Sequence, residues 1–151
     1  SVKITAANCD NIAADAEVWP VNNFLHSLFS QVDVTLNGTL ITSSTNTYPY
    51  RAYIEDLLSH GADSKESQMT AALFYKDTPG KMSVANSRAA ANDRNHGLTK
   101  RAEFTNESRV VDMIGRLHCD IFFQERYLLN EVNTKIRLIR SRDNFCLMPT
   151  G

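Results

Sequence analysis

Cysteine is scarce in this chain. Cys9, Cys119 and Cys146 are the only three, they lie far apart, and no C-x-x-C occurs. An odd, widely spaced set makes a poor disulfide framework and lacks paired-cysteine zinc spacing, so free thiols in a reducing compartment are expected. Glycine is also sparse, with 6 residues, and neither G-x-G-x-x-G nor G-x-S-x-G is present. Gly80-Lys81 has Tyr75 where a phosphate loop would place its first glycine, so no phosphate cradle or nucleophile elbow is encoded. The four histidines, His26, His60, His96 and His118, show neither H-E-x-x-H nor H-x-H spacing, and no metal site or cofactor is predicted from them. No apolar run reaches the roughly 18 residues of a membrane span. Charge of one sign is missing too: 16 basic residues face 17 acidic ones. That balance argues against a chain-wide polycationic DNA-binding surface and leaves a local patch open. An initiator Met and a signal-like segment are likewise lacking, and Val2-Lys3-Ile4-Thr5 reads as a strand already under way. The chain is therefore read as a piece of something longer or a processed product. Without a signal peptide, the sequons Asn37-Gly38-Thr39 and Asn106-Glu107-Ser108 are expected to be unused.

What is present suits a single folded unit: 151 residues, 42% apolar, long enough to bury a core without disulfide or metal staples. A loop is predicted over residues 8–20. Val21, Phe24, Leu25, Leu28 and Phe29 recur at helical spacing behind Pro20 and predict a short helix. The period then changes to two at Val32, Val34 and Leu36, followed by Asn37-Gly38 and Thr39-Leu40-Ile41. Asn-Gly between such runs predicts a hairpin, because a type I′ turn needs positive φ at both central residues. After a polar loop at Ser43–Thr47, the residues Tyr50, Tyr53, Ile54, Leu57 and Leu58 form a second apolar helical face, with Gly61 expected at its left-handed C-terminal position. Asp63 with Glu66 marks a further helix start, leading into Met69, Leu73 and Phe74. The polar, Ala-rich stretch 81–100 is expected outside the core. Strands are predicted at Val110–Leu117 and Val132–Ile139, the latter half-buried, with a further apolar stretch at Asp120–Gln124 and another beginning at Phe145. Mostly strands with inserted helices, without a regular βαβ alternation, point to a sandwich.

Chemistry is hard to find. His118-Cys119 looks suggestive, but adjacent strand residues point to opposite faces, so no nucleophile pair is expected there. His26, flanked by Phe24, Leu25 and Leu28, is expected to be a hydrogen-bonded packing residue. A basic cluster remains: Lys135, Arg137, Arg140 and Arg142, with Lys100, Arg101, Arg109 and Arg116 upstream. A solvated sheet face or edge pairing accounts for the late cluster; contact with nucleic acid or an acidic neighbour is the alternative. No base-stacking aromatics interleave it. Three classes stay open: an assembly protein, a jelly-roll binding module of lectin type, and a hydrolase. Polar loops without convergent acid–base pairs favour the first, and no enzyme activity is expected.

One long stretch is more distinctive. Val21–Ile41 (V-N-N-F-L-H-S-L-F-S-Q-V-D-V-T-L-N-G-T-L-I), followed by S-T-N-T-Y-P-Y-R-A-Y-I-E over Ser44–Glu55, resembles the major capsid protein of Polinton (Maverick) elements and adintoviruses. Ala72–Asp77, Val111–His118, Asp120–Gln124, Asn130–Ser141 and Phe145–Met148 continue the resemblance in order. It implies a mainly-β fold, an antiparallel jelly-roll sandwich with short inserted helices, related to capsid proteins of large double-stranded DNA viruses. Residues 1–151 would then be an incomplete N-terminal jelly-roll domain, holding about the third to seventh strands of the first half of a double jelly roll. The remainder, with the second jelly roll, would lie outside the sequence. The function implied is structural: trimeric, pseudo-hexameric capsomers building an icosahedral shell, with the protein located in the virion and made in the reducing interior of the host cell. The implied partners are two further copies of the chain, neighbouring capsomers and penton proteins, and packaged double-stranded DNA, with no small-molecule substrate. Lys135, Arg137, Arg140 and Arg142 become candidate DNA or inter-subunit contacts, and the segments 81–101 and Ser43–Thr47 candidate subunit contacts.

Overall fold

The fold rests on one long strand. In the computed structural model, which describes residues 1–13, 16–86 and 89–149, β2 (Phe29–Leu36) carries β-branched Val32 and Val34 on one face and Gln31 and Asp33 on the other, all four buried. Asn37 and Gly38 turn the chain with φ of 47° and 85°. Both are positive, as a type I′ turn demands, and β3 (Thr39–Leu40) returns antiparallel along β2. On the other side of β2 lies β4 (Thr134–Arg140), also antiparallel, with Val32 opposite Leu138 and Val34 opposite Ile136. The result is a three-stranded sheet in the order β3-β2-β4. A separate two-stranded sheet pairs β1 (Val18–Pro20), inside the expected loop 8–20, with β5 (Leu147–Pro149).

Helices supply much of the packing. α1 (Phe24–Ser27) is shorter than the apolar spacing from Val21 suggested, because Asn23 takes the left-handed conformation at φ 54° and helical backbone starts only after it. α2 (Tyr48–Ser59) has Pro49 in its first turn, where a missing N–H is harmless. It is rotated relative to the expected stripe: Tyr48, Ala52 and Asp56 face inward, while Tyr50, Ile54, Leu57 and Leu58 are exposed. The physical reason is that Tyr48 and Asp56 have buried hydrogen-bond partners and Ala52 permits close approach. Gly61 is extended, not left-handed, and precedes α3 (Ala62–Glu66). Residues Gln68–Ala72 form a 3₁₀ turn, and Leu73, at φ 56°, redirects the chain into the core.

α4 (His96–Thr105) corrects the expectation that residues 81–100 stay outside the core. Asn95 caps it, accepting from the Leu98 backbone N–H, and Leu98 is fully buried beside Trp19 and Ala102. Gly97 allows this docking: a Cβ there would come within 2.7 Å of the Tyr75 and Lys76 carbonyl oxygens. Its neighbour Arg101, also buried, hydrogen-bonds the carbonyls of Pro20 and Tyr75 and the Asp77 carboxylate. α5 (Asp143–Cys146) leads into β5.

The jelly-roll sandwich is not what the chain forms. Among the described residues only the two small sheets are present, of two and three strands, amid five helices, so the fold is mixed α and β. Val110–Leu117, expected as a strand, has no ladder: it is held by a single bridge between Val2 and Val111 and by Ile114 N–H donating to the Ala71 carbonyl. The predicted N-terminal strand reduces to isolated bridges at Val2 and Thr5, and Asp120–Phe123 is a 3₁₀ turn. Apolar residues in these segments serve packing rather than strand pairing: Val2, Val111 and Met113 join the cluster around Phe24, Leu28 and Leu73, and Leu117, Ile121 and Phe122 the one around Val32 and Val34. Among the described residues, no helix is long and apolar enough to cross a membrane.

Candidate functional site

The outer strand of the larger sheet is the most accessible chemical surface that the sequence singled out. Residues directly opposite across an antiparallel pair share a face, so Ile136 and Leu138 extend the apolar face of Val34 and Val32. The two valines are covered by Tyr48 and Cys119 and are 0% and 2% exposed, whereas Ile136 and Leu138 are 44% and 47% exposed. All seven residues of β4 are exposed, so the half-buried strand expected here is instead open on both faces. Among the described residues β4 is also one of the two edges of the sheet, β3 being the other. Its approach carries Tyr127, Leu128 and Leu129, all exposed.

The four predicted basic contacts do not form one patch. Arg137 sits opposite Asp33 and donates from Nε at 3.0 Å and Nη2 at 2.5 Å to its Oδ2. Hydrogen bonds from Arg137 and then Gln31 hold the Asp33 carboxyl below the usual carboxylate range. Lys135 lies beside this pair, in a shallow recess shared with Thr35 and Leu40. Arg140 pairs with Asp143 at 2.6 Å, and with Arg142 lines a groove containing Tyr50 and Phe145 at the other end of the strand. Upstream, Arg101 is committed to the interior and Arg116 stacks its guanidinium over Phe123, 4.0 Å from the ring centre.

The polar face of β2 reaches the loop at Ser43–Thr47. Gln31 donates to the Ser43 carbonyl at 2.7 Å and accepts from the Asn46 N–H at 2.9 Å. One buried glutamine therefore holds the candidate contact loop in place.

A second constellation was not legible from spacing. α1 brings His26, α2 brings Asp56, and the chain after Val110 brings His118 into one buried cluster. His26 is hydrogen-bonded as expected, through Nδ1 and the Tyr48 hydroxyl at 3.0 Å. His118 pairs through Nδ1 with Glu55 Oε2 at 2.7 Å, and its Nε2 lies 3.4 Å from Asp56 Oδ1. Asn23, in its left-handed conformation, donates to Asp56 Oδ2 at 2.6 Å. The imidazoles of His26 and His118 meet edge to face, 4.7 Å between centres. Burial, reinforced by His118, lowers the His26 pKa to about 4, so its ring is neutral near pH 7. Burial raises Asp56, while the Tyr48 hydroxyl is pushed up to about 12 by the same cause. For Glu55, burial acts upward, but hydrogen bonds from His118 and Arg51 outweigh it and hold the carboxyl low. Cys119, next in sequence, points away into the sheet-side core with Val32 and Val34, and burial raises its thiol pKa. The partial signal in the sequence is the i, i+4, i+8 spacing of Tyr48, Ala52 and Asp56, which puts Asp56 on the same helix face as Tyr48.

Comparison with known proteins adds one relative. An uncharacterized protein of Caenorhabditis elegans is 28% identical over 138 residues, which cover 90% of this chain. The chain spans 29% of that protein's length. No family model matches the chain, and no solved structure matches it.

Proposed function

We propose that the chain belongs to a structural subunit that assembles with copies of itself, in the manner of a viral capsid protein, and that β4 contributes to the contact between copies. The carrying observation is the apolar face of the sheet, which is covered at Val32 and Val34 and continues uncovered through Ile136 and Leu138 along an edge strand. An open apolar edge is an aggregation hazard unless a specific neighbour covers it. The ordered resemblance from Val21 to Met148 supports a capsid as the assembly, with trimeric capsomers as its unit. Closed shells need repeated interfaces rather than reactive groups, and the engagement of Arg137 by Asp33 and of Arg140 by Asp143 favours subunit packing over DNA contact at this strand.

Sedimentation of the purified chain tests the reading. The wild type is expected to sediment as an oligomer whose share grows with concentration. The double variant Ile136→Lys, Leu138→Lys is expected to remain at the 16.9 kDa of one chain with an unchanged circular dichroism spectrum. A wild type that stays monomeric at high micromolar concentration defeats it.

A further inference from the structure

We propose that His26, Asp56 and His118 form a binding site for one divalent transition-metal ion, for which Zn²⁺ is the best-suited common occupant. One ligand atom from each residue lies within 4.8 Å of the other two. The arrangement around them carries the assignment. Each residue has its outer polar atom anchored: His26 Nδ1 by the Tyr48 hydroxyl, His118 Nδ1 by the Glu55 carboxylate, and Asp56 Oδ2 by the Asn23 amide. Of the inner atoms, Asp56 Oδ1 has His118 Nε2 at 3.4 Å and His60 Nδ1 at 3.8 Å, so an ion there would also meet the His60 ring. His26 offers the Nε2 that the Tyr48 hydroxyl does not engage. A carboxylate behind a histidine, as Glu55 stands behind His118, is the usual outer shell of a metal-bound imidazole, fixing its tautomer and raising its basicity.

Geometry and charge fit the same reading. His118 Nε2 and Asp56 Oδ1, at 3.4 Å, already stand near the roughly 3.3 Å that tetrahedral bonds of about 2.0–2.1 Å would give. From the outer limit of 4.8 Å, His26 has to close by roughly 1.5 Å to reach that spacing. The cluster borders a cavity of about 280 Å³, reached also by His60 and Gln68, which leaves room for a fourth ligand or a water. Gly115 keeps the ring nitrogen of His26 approachable: a Cβ there would lie 3.0 Å from Nε2. Two imidazoles and a carboxylate select a borderline cation over Ca²⁺ or Mg²⁺, which prefer all-oxygen shells. Asn23 Oδ1, on the same amide that holds Asp56, is buried without a hydrogen-bond partner among the described residues. The ion would join α1, α2 and the Val110–His118 segment, which has little backbone pairing to hold it.

The test is a titration of the chelator-treated 151-residue chain with Zn²⁺, followed by Co²⁺ substitution and X-ray absorption of the zinc form. One equivalent of Zn²⁺ is expected to bind and to raise the melting temperature, Co²⁺ to give the visible absorption of a four-coordinate site, and the absorption spectrum to show imidazole nitrogen and oxygen without sulfur. Asp56→Asn and His118→Gln should each lose the bound equivalent, and Glu55→Gln should weaken it by about 10–100-fold. His96→Ala, at the start of α4 and away from the cluster, should bind as the wild type. Failure of the folded wild type to bind Zn²⁺ stoichiometrically overturns the proposal, as does a sulfur ligand, which would implicate Cys119 instead. Undiminished binding by the folded Asp56→Asn and His118→Gln variants also overturns it. Should those variants not fold, the stoichiometry and ligand set of the wild type decide alone.

Discussion

Asp33 is a carboxylate placed where a strand would ordinarily hold a valine. It is 2% exposed, and it remains charged because Arg137, from the neighbouring strand, and Gln31 both donate to it. Buried charges persist only when paired and hydrogen-bonded in this way. The linkage sign follows from the depressed carboxyl. The unfolded chain, with an aspartate near pKa 3.9, binds its proton first as pH falls, so the folded state loses stability on acidification. This contribution is complete above about pH 4 and disappears as pH drops through the lower folded value. Asp33→Asn is therefore expected to flatten the acid limb of stability below about pH 4, measured by urea denaturation at stepped pH. An acid limb identical to that of the wild type would show that other carboxylates govern it. Arg101 repeats the theme from a helix, its guanidinium divided between the Pro20 and Tyr75 carbonyls and Asp77.

Among the elements, α2 shows how a buried polar group can set a helix's rotation. The inward face carries Tyr48, Ala52 and Asp56, and the apolar stripe looks outward. Leu58 is 81% exposed, so Leu58→Gln should change stability by no more than about 0.5 kcal/mol. Ala52 has no exposed surface, and Ala52→Leu should cost about 1–3 kcal/mol through overpacking. Chemical denaturation of both variants checks the rotation; the reverse order of effects would restore the stripe to the interior. The β2–β3 hairpin was legible because its information is local: two alternating runs and an Asn-Gly turn whose dihedral demands few residues meet. The identity of β4 as a strand was legible for the same reason. Its exposure was not, since cover depends on what packs from elsewhere. Val110–Leu117 has a strand's composition but gains only the single bridge to Val2 among the described residues, and pairing of distant segments leaves no local mark. The cluster of His26, Asp56 and His118 escaped for a related reason, as its members come from three separate segments. Leu98 and Arg101 were hidden in or beside a polar, Ala-rich stretch, and both turn inward.

At the scale of the whole molecule, apolar surface is unevenly distributed. Leu40, Ile41, Leu128, Leu129, Ile136 and Leu138 are exposed near the larger sheet or the segment leading to it, and α2 adds its outward stripe. If copies cover this surface, folding and association are linked, and stability rises with protein concentration by mass action. The wild-type melting temperature is expected to climb across a hundredfold concentration range, while that of the Ile136→Lys, Leu138→Lys variant stays level. Differential scanning calorimetry separates the two. A wild-type midpoint independent of concentration counts against self-association as the source of cover.

The long β2–β4 seam also sets a schedule. Asp33 and Arg137 are 104 residues apart, and the smaller sheet likewise joins Val18–Pro20 to Leu147–Pro149. During synthesis the early strands emerge long before the segments that complete them. Until β4 emerges, one edge of β2 has only solvent or another protein to satisfy it, and contacts of such sequence separation form slowly. A nascent chain of this design depends on residues made about a hundred positions later to finish both sheets, and the interval before they arrive is when a ribosome-bound chaperone has most to do.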